Sequence, residues 1–329
     1  MDKSAWDVKK QDFPKEGNQE DKSRFLIRYA ILAPSGHNSQ PWKFSIKGTQ
    51  IWAFADLARA LRIADSDDRE LFIAAGCTLM NLLIAAKYFG YDPKVIYFPE
   101  DGEEELVAII NLSRLVEQQE SEVPELFKSI TERRTNRRQY EDKTISQEDL
   151  TKLQNCCSEK GIRLDLITDQ DTKAKVAEFV VRGDILQYSD PAYRRELGYW
   201  VGQGAFGHKG IMAKVGSLFV SRTNPGRKTG EKERMLILSA PVLGVLSSAK
   251  EDKLSRVKVG EAYEKIALTA TSLNIQQHPM NQGLTEVSGH KEELKKALKI
   301  QEIPQLPFRL GYAEPTPRQV RRPLEEFLV

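Results

Sequence analysis

The chain is poor in the residues that build most metal and disulfide chemistry. Its 329 residues hold three cysteines, Cys77, Cys156 and Cys157, which form neither an even disulfide framework nor the paired CxxC spacing of a zinc site. The four histidines, His37, His208, His278 and His290, show no HExxH or HxH clustering, so no metal site is expected. Neither sign of charge is in excess, with 49 Lys+Arg against 47 Asp+Glu. That balance argues against nucleic acid or a membrane surface as partner. No run reaches the ~18–20 uninterrupted apolar residues of a membrane span. The first 22 residues carry 11 charged side chains, so they do not read as a signal peptide. "NPGRKTGEK" lacks the order of a P-loop, no GxGxxG follows a strand, and no GxSxG elbow is present. What remains is a soluble cytoplasmic protein with reduced thiols, long enough for one large domain or two ordinary ones.

What is present has a repeating order. Residues 1–22 read as a polar, solvated N-terminal arm. "SRFLIRYAILA" (23–33) is a helical face ending at Pro34, and "KFSIKGTQIWAFAD" reads as a hairpin around Gly48. Residues 69–89 are apolar nearly all round, which predicts a helix buried on most sides. Strands are expected at 94–98 and 106–113. A polar stretch leads to "LFKSITERRTNRRQY", read as a helix that carries a dense basic cluster. A second round follows: a helix at 147–160, a strand at "IRLDLIT", a helical region over 170–215 and a polar loop "SRTNPGRKTGEKER". The strand "LILSAPVLGVLSS", the apolar helix "GEAYEKIALTATSLNI" and the strand "FRLGY" complete it. A twofold internal repeat of an α+β unit accounts for this order.

Three segments carry candidate chemistry. Arg133, Arg134, Thr135, Arg137 and Arg138 are the densest basic cluster, and on a helix Arg133 and Arg137 would share a face. Two planar guanidinium forks and a hydroxyl suit a phosphate; a solvated basic patch is the plainer alternative. Arg318, Arg321 and Arg322 form a second cluster between Pro317 and Pro323, which alone reads as a charged tail. The loop "APSGHNSQPW" is stiffened by Pro34 and Pro41. Its Ser35, Gly36 and Asn38 offer a hydroxyl, backbone N–H groups and an amide that suit the edge of a planar heterocycle. The alternative is a structural turn with Trp42 buried as a core anchor. His37 reads equally as a ligand contact or an exposed loop residue, and Cys156 and Cys157 as structural thiols.

"PSGHNSQPW", "RRTNR" at 133–137 and the ending "RLGYAEPTPRQVRRPLEEFL" together resemble the FMN-dependent nitroreductase family. The "GEAYEKIALTATSLNI" helix and "QHPMNQG" resemble its central helix and the loop beside the flavin. The order differs from an ordinary member, because here the Pro-Ser loop precedes the Arg cluster by about a hundred residues. This resembles the double-length, fused subgroup, in which two degenerate halves form an intramolecular pseudo-dimer around one FMN site. The implied halves are 23–120 and 121–329, with 184–236 as a lid, and the implied oligomeric state is a monomer with an internal pseudo-twofold. The resemblance implies that Arg133, Thr135, Arg137 and Arg321 hold the FMN phosphate and that Arg134 lies by the pyrimidine or ribityl portion. Pro34, Ser35, Gly36 and Asn38 would meet the ring, with Pro279, Met280 and Asn281 beside its N5. Asn281-Gln282 stands where the family often has Glu-Gly. The implied activity is NAD(P)H-dependent reduction of a small-molecule acceptor such as a nitro compound or quinone. A protein that binds FMN under a closed lid with little turnover is the alternative.

Overall fold

The computed structural model describes residues 4–100, 103–115, 123–207, 210–281, 287 and 289–329. Gln282 and His208 therefore lie outside the described residues. The N-terminal arm departs from the solvated tail expected of it. Trp6 and Val8 are buried, and Trp6 Nε1 donates to the Gln319 carbonyl at 2.7 Å. An indole has more apolar surface to bury than the charges around it can hold in water.

Helix α1 (Gln19–Ala30) starts earlier than its apolar face because Asn18 and Asp21 form a reciprocal capping box. Strands β1 (Trp42–Lys47) and β2 (Gln50–Ala55) make the expected hairpin, with Lys47 opposite Gln50. Gly48 turns it at φ +62°, a conformation that a two-residue hairpin loop requires. Helix α2 (Arg69–Tyr88) follows, then β3 (Tyr91–Tyr97) and β4 (Leu106–Arg114). These strands form an antiparallel sheet in the order β1-β2-β4-β3.

Helix α3 (Val123–Glu132) ends just before the arginines, so Arg133 and Arg137 do not share a helical face. Backbone pairing with a distant strand wins instead. Thr135 bridges Gln277, Asn136 N donates to Gln277 O at 2.9 Å, and Gln277 Nε2 returns to Arg134 O at 2.9 Å.

Helix α4 (Gln147–Asn155) and β5 (Ile162–Ile167) precede four consecutive helices: α5 (Gln170–Ser189), α6 (Pro191–Gly202), α7 (Gly210–Arg222) and α8 (Gly226–Ser239). The polar stretch expected to be a loop is largely α8, which takes in the apolar Leu236 and Ile237. The strand begins only after Pro241, whose ring pushes Ala240 into extended backbone. Then come β6 (Val242–Ser248), α9 (Lys253–Ser272), β7 (Gln276–Pro279), α10 (His290–Leu298) and β8 (Ile303–Gly311), in a second antiparallel sheet ordered β5-β6-β8-β7. The fold is α+β. Both sheets use the same order relative to the chain, and α2 and α9 occupy the same interval, between second and third strand.

Helix α2 is long and apolar enough to cross a bilayer, but 78% of its apolar window is buried inside the fold. It crosses α9 where Gly76 meets Gly260. A Cβ on Gly76 would stand 2.0 Å from the Val257 carbonyl, and one on Gly260 would stand 2.0 Å from the Ile73 carbonyl. Both obstructions are backbone and cannot swing aside. Gly76→Ala is therefore expected to destabilise the protein by about 1–3 kcal/mol, the usual range for overpacking. Urea unfolding measures this, and an unchanged midpoint would contradict the crossing. After β8 the chain returns to the first sheet, where Leu328 bridges Phe44 and Val329 N donates to Phe44 O at 2.9 Å. Trp42 is buried as expected and stacks on Phe327. Among the described residues all three cysteines are free thiols.

Candidate functional site

Residues 34–40 form a rigid lip at the end of α1. His37, Asn38 and Gln40 have φ of 47°, 53° and 52°, a left-handed backbone that needs outside support. The support is polar: Gln40 N donates to Ser35 Oγ at 2.9 Å, and Asn38 N to Ser35 O at 3.0 Å. Asn38 Nδ2 donates to the carbonyls of Ala205 and Val320, while its Oδ1 accepts from Arg321. The Asn38 amide is thus occupied by the protein, and its role shifts from reading a ligand edge to pinning the lip. Gly36 lets the lip lie against α2, because a Cβ there would fall 2.1 Å from Glu70 Oε2 and displace that carboxyl. His37 is buried rather than loop-exposed; burial, and secondarily Arg137, lowers its pKa to about 4.

The lip meets the Arg stretch and the C-terminal tail around a cavity with two chambers. The larger, about 270 Å³, is lined by Pro34 to His37, by Thr135 and Arg137, and by Pro279, Met280 and Asn281. The smaller, about 50 Å³, adjoins it and is lined by Trp6, Asn38, Arg133, Arg134 and Arg321 among others. Pro34, Ser35, Thr135, Arg137 and Phe206 line both. All twelve residues that the resemblance places at the FMN site therefore face one or both chambers, whereas Arg138, Arg318 and Arg322 line neither.

Their roles divide once hydrogen bonds are assigned. All five N–H donors of Arg321 are taken: Nε by Ile31 O, Nη2 by Leu32 O and Ala33 O, and Nη1 by Asn38 Oδ1 and Val320 O. Arg321 therefore caps the C-terminal end of α1 and contributes charge, rather than hydrogen bonds, to the chamber. Arg133 is buried, with Nε 3.2 Å from Glu264 Oε1 and Nη2 donating to Leu32 O at 3.2 Å. Its Nη1 has no hydrogen-bond partner among the described residues. Arg137 is exposed to the cavity and donates no side-chain hydrogen bond among the described residues. Met280 N donates to Pro307 O at 2.8 Å and Pro279 has no N–H, so neither offers a backbone donor to a ring placed beside them.

Trp6 organises the small chamber. Arg134, Arg318 and Arg321 lie 5.0, 5.8 and 4.9 Å from its ring centroid. Burial and then Arg133 bring Arg321 down to about 9; burial and then Arg318 bring Arg134 to about 10. Cations crowded this closely favour an anion between them.

The other side of the cavity is carboxylic, and sequence reading missed it. Glu70, Asp184 and Glu233 line the large chamber from α2, α5 and α8. Only Trp6, a lone indole in a charged arm, carried a sequence signal; the carboxyls looked like any solvated helix face. Burial, then Glu233, pushes the Asp184 carboxyl up to about 7 from its ordinary 3.8. Between those values the folded chain holds a proton that the unfolded chain has released. The stability from this group is complete below about pH 4 and is lost as pH rises through 7. Asp184→Asn is expected to flatten that slope and raise stability by about 1–3 kcal/mol at pH 8. Urea unfolding at pH 5 and 8 tests it; the same pH dependence in both proteins would contradict it.

No family model matches the chain. It is 28% identical over 321 residues to Rv3131 of Mycobacterium tuberculosis H37Rv, named as a candidate NAD(P)H nitroreductase, covering 92% of this chain and 90% of that protein. It is 26% identical over 315 residues to the same organism's Acg, named likewise, covering 91% and 93%. Among solved structures, it is similar to the FMN-dependent nitroreductase NfnB of Mycobacterium smegmatis in complex with NADPH. The TM-score there is 0.43, with 13% identity over 63% of this chain and 97% of that one.

Proposed function

We propose that this chain is an FMN-dependent oxidoreductase that takes electrons from NAD(P)H and reduces nitro compounds, quinones or similar small acceptors. The observation that carries the reading is the meeting of the lip at 34–38 with the stretch 133–137 around one two-chambered cavity. The relatives named as candidate NAD(P)H nitroreductases, matched along nine-tenths of the chain, supply the reaction class.

The residues fit FMN. The small chamber gathers guanidinium groups around a buried, unsatisfied Arg133 Nη1, which suits a dianionic phosphate. The large chamber has a proline-glycine wall without a Cβ at Gly36, which suits a flat ring system. When bound, FMN supplies hydride acceptance and electron delivery. Arg137, Thr135 and Arg134 then hold the phosphate, with Arg133 and Arg321 as fixed charge behind them. His278 stays neutral: burial, then Arg137, lowers its pKa, and its Nδ1 accepts from Arg309 Nε at 3.2 Å. Val180, Leu197 and Phe206 give the large chamber apolar walls.

The two halves, 23–120 and 121–329, would stand in for the two subunits of an ordinary nitroreductase. Their shared strand order and the Gly76–Gly260 crossing support this intramolecular pseudo-dimer. Residues 184–236 would be the lid. A second reading, FMN held under a shut lid with little turnover, is favoured by how the lid is fastened. Leu197 and Trp200 pack with Leu61 and Ala64. Glu196 accepts from the backbone of Ile63 and Ala64, and Ala205 O accepts from Asn38. Fluorescence titration of FMN tests both readings, because each requires tight binding; NADPH oxidation with a quinone then separates them.

A further inference from the structure

Asp184 lies on α5 and is 4% exposed, yet its Oδ2 has no hydrogen-bond partner among the described residues. Its side of the cavity is built by close helix packing. Gly226 and Gly230, one turn apart on α8, let that helix approach α5; a Cβ on either would stand 2.8 Å from the backbone at Asp184 or Val181. The approach sets Thr229 and Glu233 of α8 beside Asp184 and Tyr188 of α5, all four lining the large chamber.

The two carboxyls of this corner differ in the cations that face them. Among the described residues lining the large chamber, the carboxyls are Glu70, Asp184 and Glu233, and the only Lys or Arg is Arg137. Arg137 also lines the small chamber, where the proposed function commits it to a phosphate. His37 and His278 are held neutral by burial. Glu233 is faced by Arg309, Lys232 and Arg137, whereas the charged group acting on Asp184 is Glu233 itself, so in this desolvated corner it is the unpartnered Asp184 carboxyl that lacks a cation. Such a corner favours a ligand that brings positive charge and several N–H donors.

We propose that Asp184, with Glu233 beside it, forms the recognition site for a cationic amine or amidine on the electron acceptor. The substrate class would then be a nitroaromatic or quinone bearing a protonated nitrogen group, not an anionic one. This inference rests on the flavin reading, because it takes Arg137 as engaged with the phosphate. Asp184 and Glu233 are specificity residues here; the reduction itself is left to the bound cofactor.

The test uses the full chain loaded with FMN and two neutral-ring probes of equal size, 4-nitrobenzylamine and 4-nitrobenzyl alcohol. Equilibrium binding is read from the perturbed flavin absorbance and from calorimetry. The wild type is expected to bind the amine at least tenfold more tightly than the alcohol. Asp184→Asn, nearly isosteric, is expected to reduce that preference to about threefold or less while alcohol binding and FMN retention persist, and Glu233→Gln to reduce it partly. Equal binding of both probes by the wild type, or a preference that survives both substitutions, overturns the inference and leaves the flavin reading intact. A protein that retains no FMN overturns both.

Discussion

Removing the Arg133 guanidinium is expected to cost about 3–5 kcal/mol of stability, the usual penalty for leaving one member of a buried ion pair alone. Arg133 is 2% exposed and Glu264 0%, so neither can turn to water. Burial raises the Glu264 pKa, and Arg133 is the leading influence that lowers it again. Arg133→Ala would leave Glu264 to take up a proton in the core and would remove one of the two donors to the Leu32 carbonyl, which keeps Arg321 Nη2. Thermal and urea unfolding of the FMN-free protein should both register the loss. Retained stability would mean that Arg133 belongs to a ligand site rather than to the core. The double variant Arg133→Met with Glu264→Leu is expected to recover much of the loss, because well-packed apolar replacements often match a buried pair.

Arg137 is the opposite case. It is exposed to the cavity and donates no side-chain hydrogen bond among the described residues, so folding does not depend on it. Arg137→Ala is expected to leave the unfolding midpoint of the FMN-free protein within experimental error and to weaken FMN about tenfold to a hundredfold. That range corresponds to about 1.5–3 kcal/mol for hydrogen bonds to a charged group. Arg137→Lys should recover part of it, keeping the charge but losing the planar fork. Unchanged FMN affinity in Arg137→Ala would remove this residue from the phosphate site. The contrast between the two arginines, four positions apart, is more informative than either alone.

The same contrast marks how far the sequence could be read. The lip, the Arg cluster, the tail and the residues 279–281 at the end of β7 are all local motifs, and each contributes residues to the cavity wall. Their division of labour was not legible. Whether Arg133 faces a ligand or the core depends on Glu264, more than a hundred residues away, and Arg321 is spent on carbonyls at the end of α1. Helical spacing misled at 133–137 because pairing with Gln277 overrides it. The apolar helices α2 and α9 were readable from composition, since a helix apolar all round must be buried. The boundary of α8 was not, because Leu236 and Ile237 suit a buried strand as well as a helix. Asp184 and Glu233 carry no local signal at all; only the Gly226 and Gly230 packing brings them together.

The most direct measurement is the visible absorption spectrum of the FMN-reconstituted protein after gel filtration, before and after anaerobic addition of NADPH. A flavin band that travels with the protein and bleaches on NADPH is the predicted result. A flavin band that travels with the protein but persists would transfer the account to the shut-lid reading. A protein peak with no flavin absorbance would contradict the central claim that the two chambers form an FMN site.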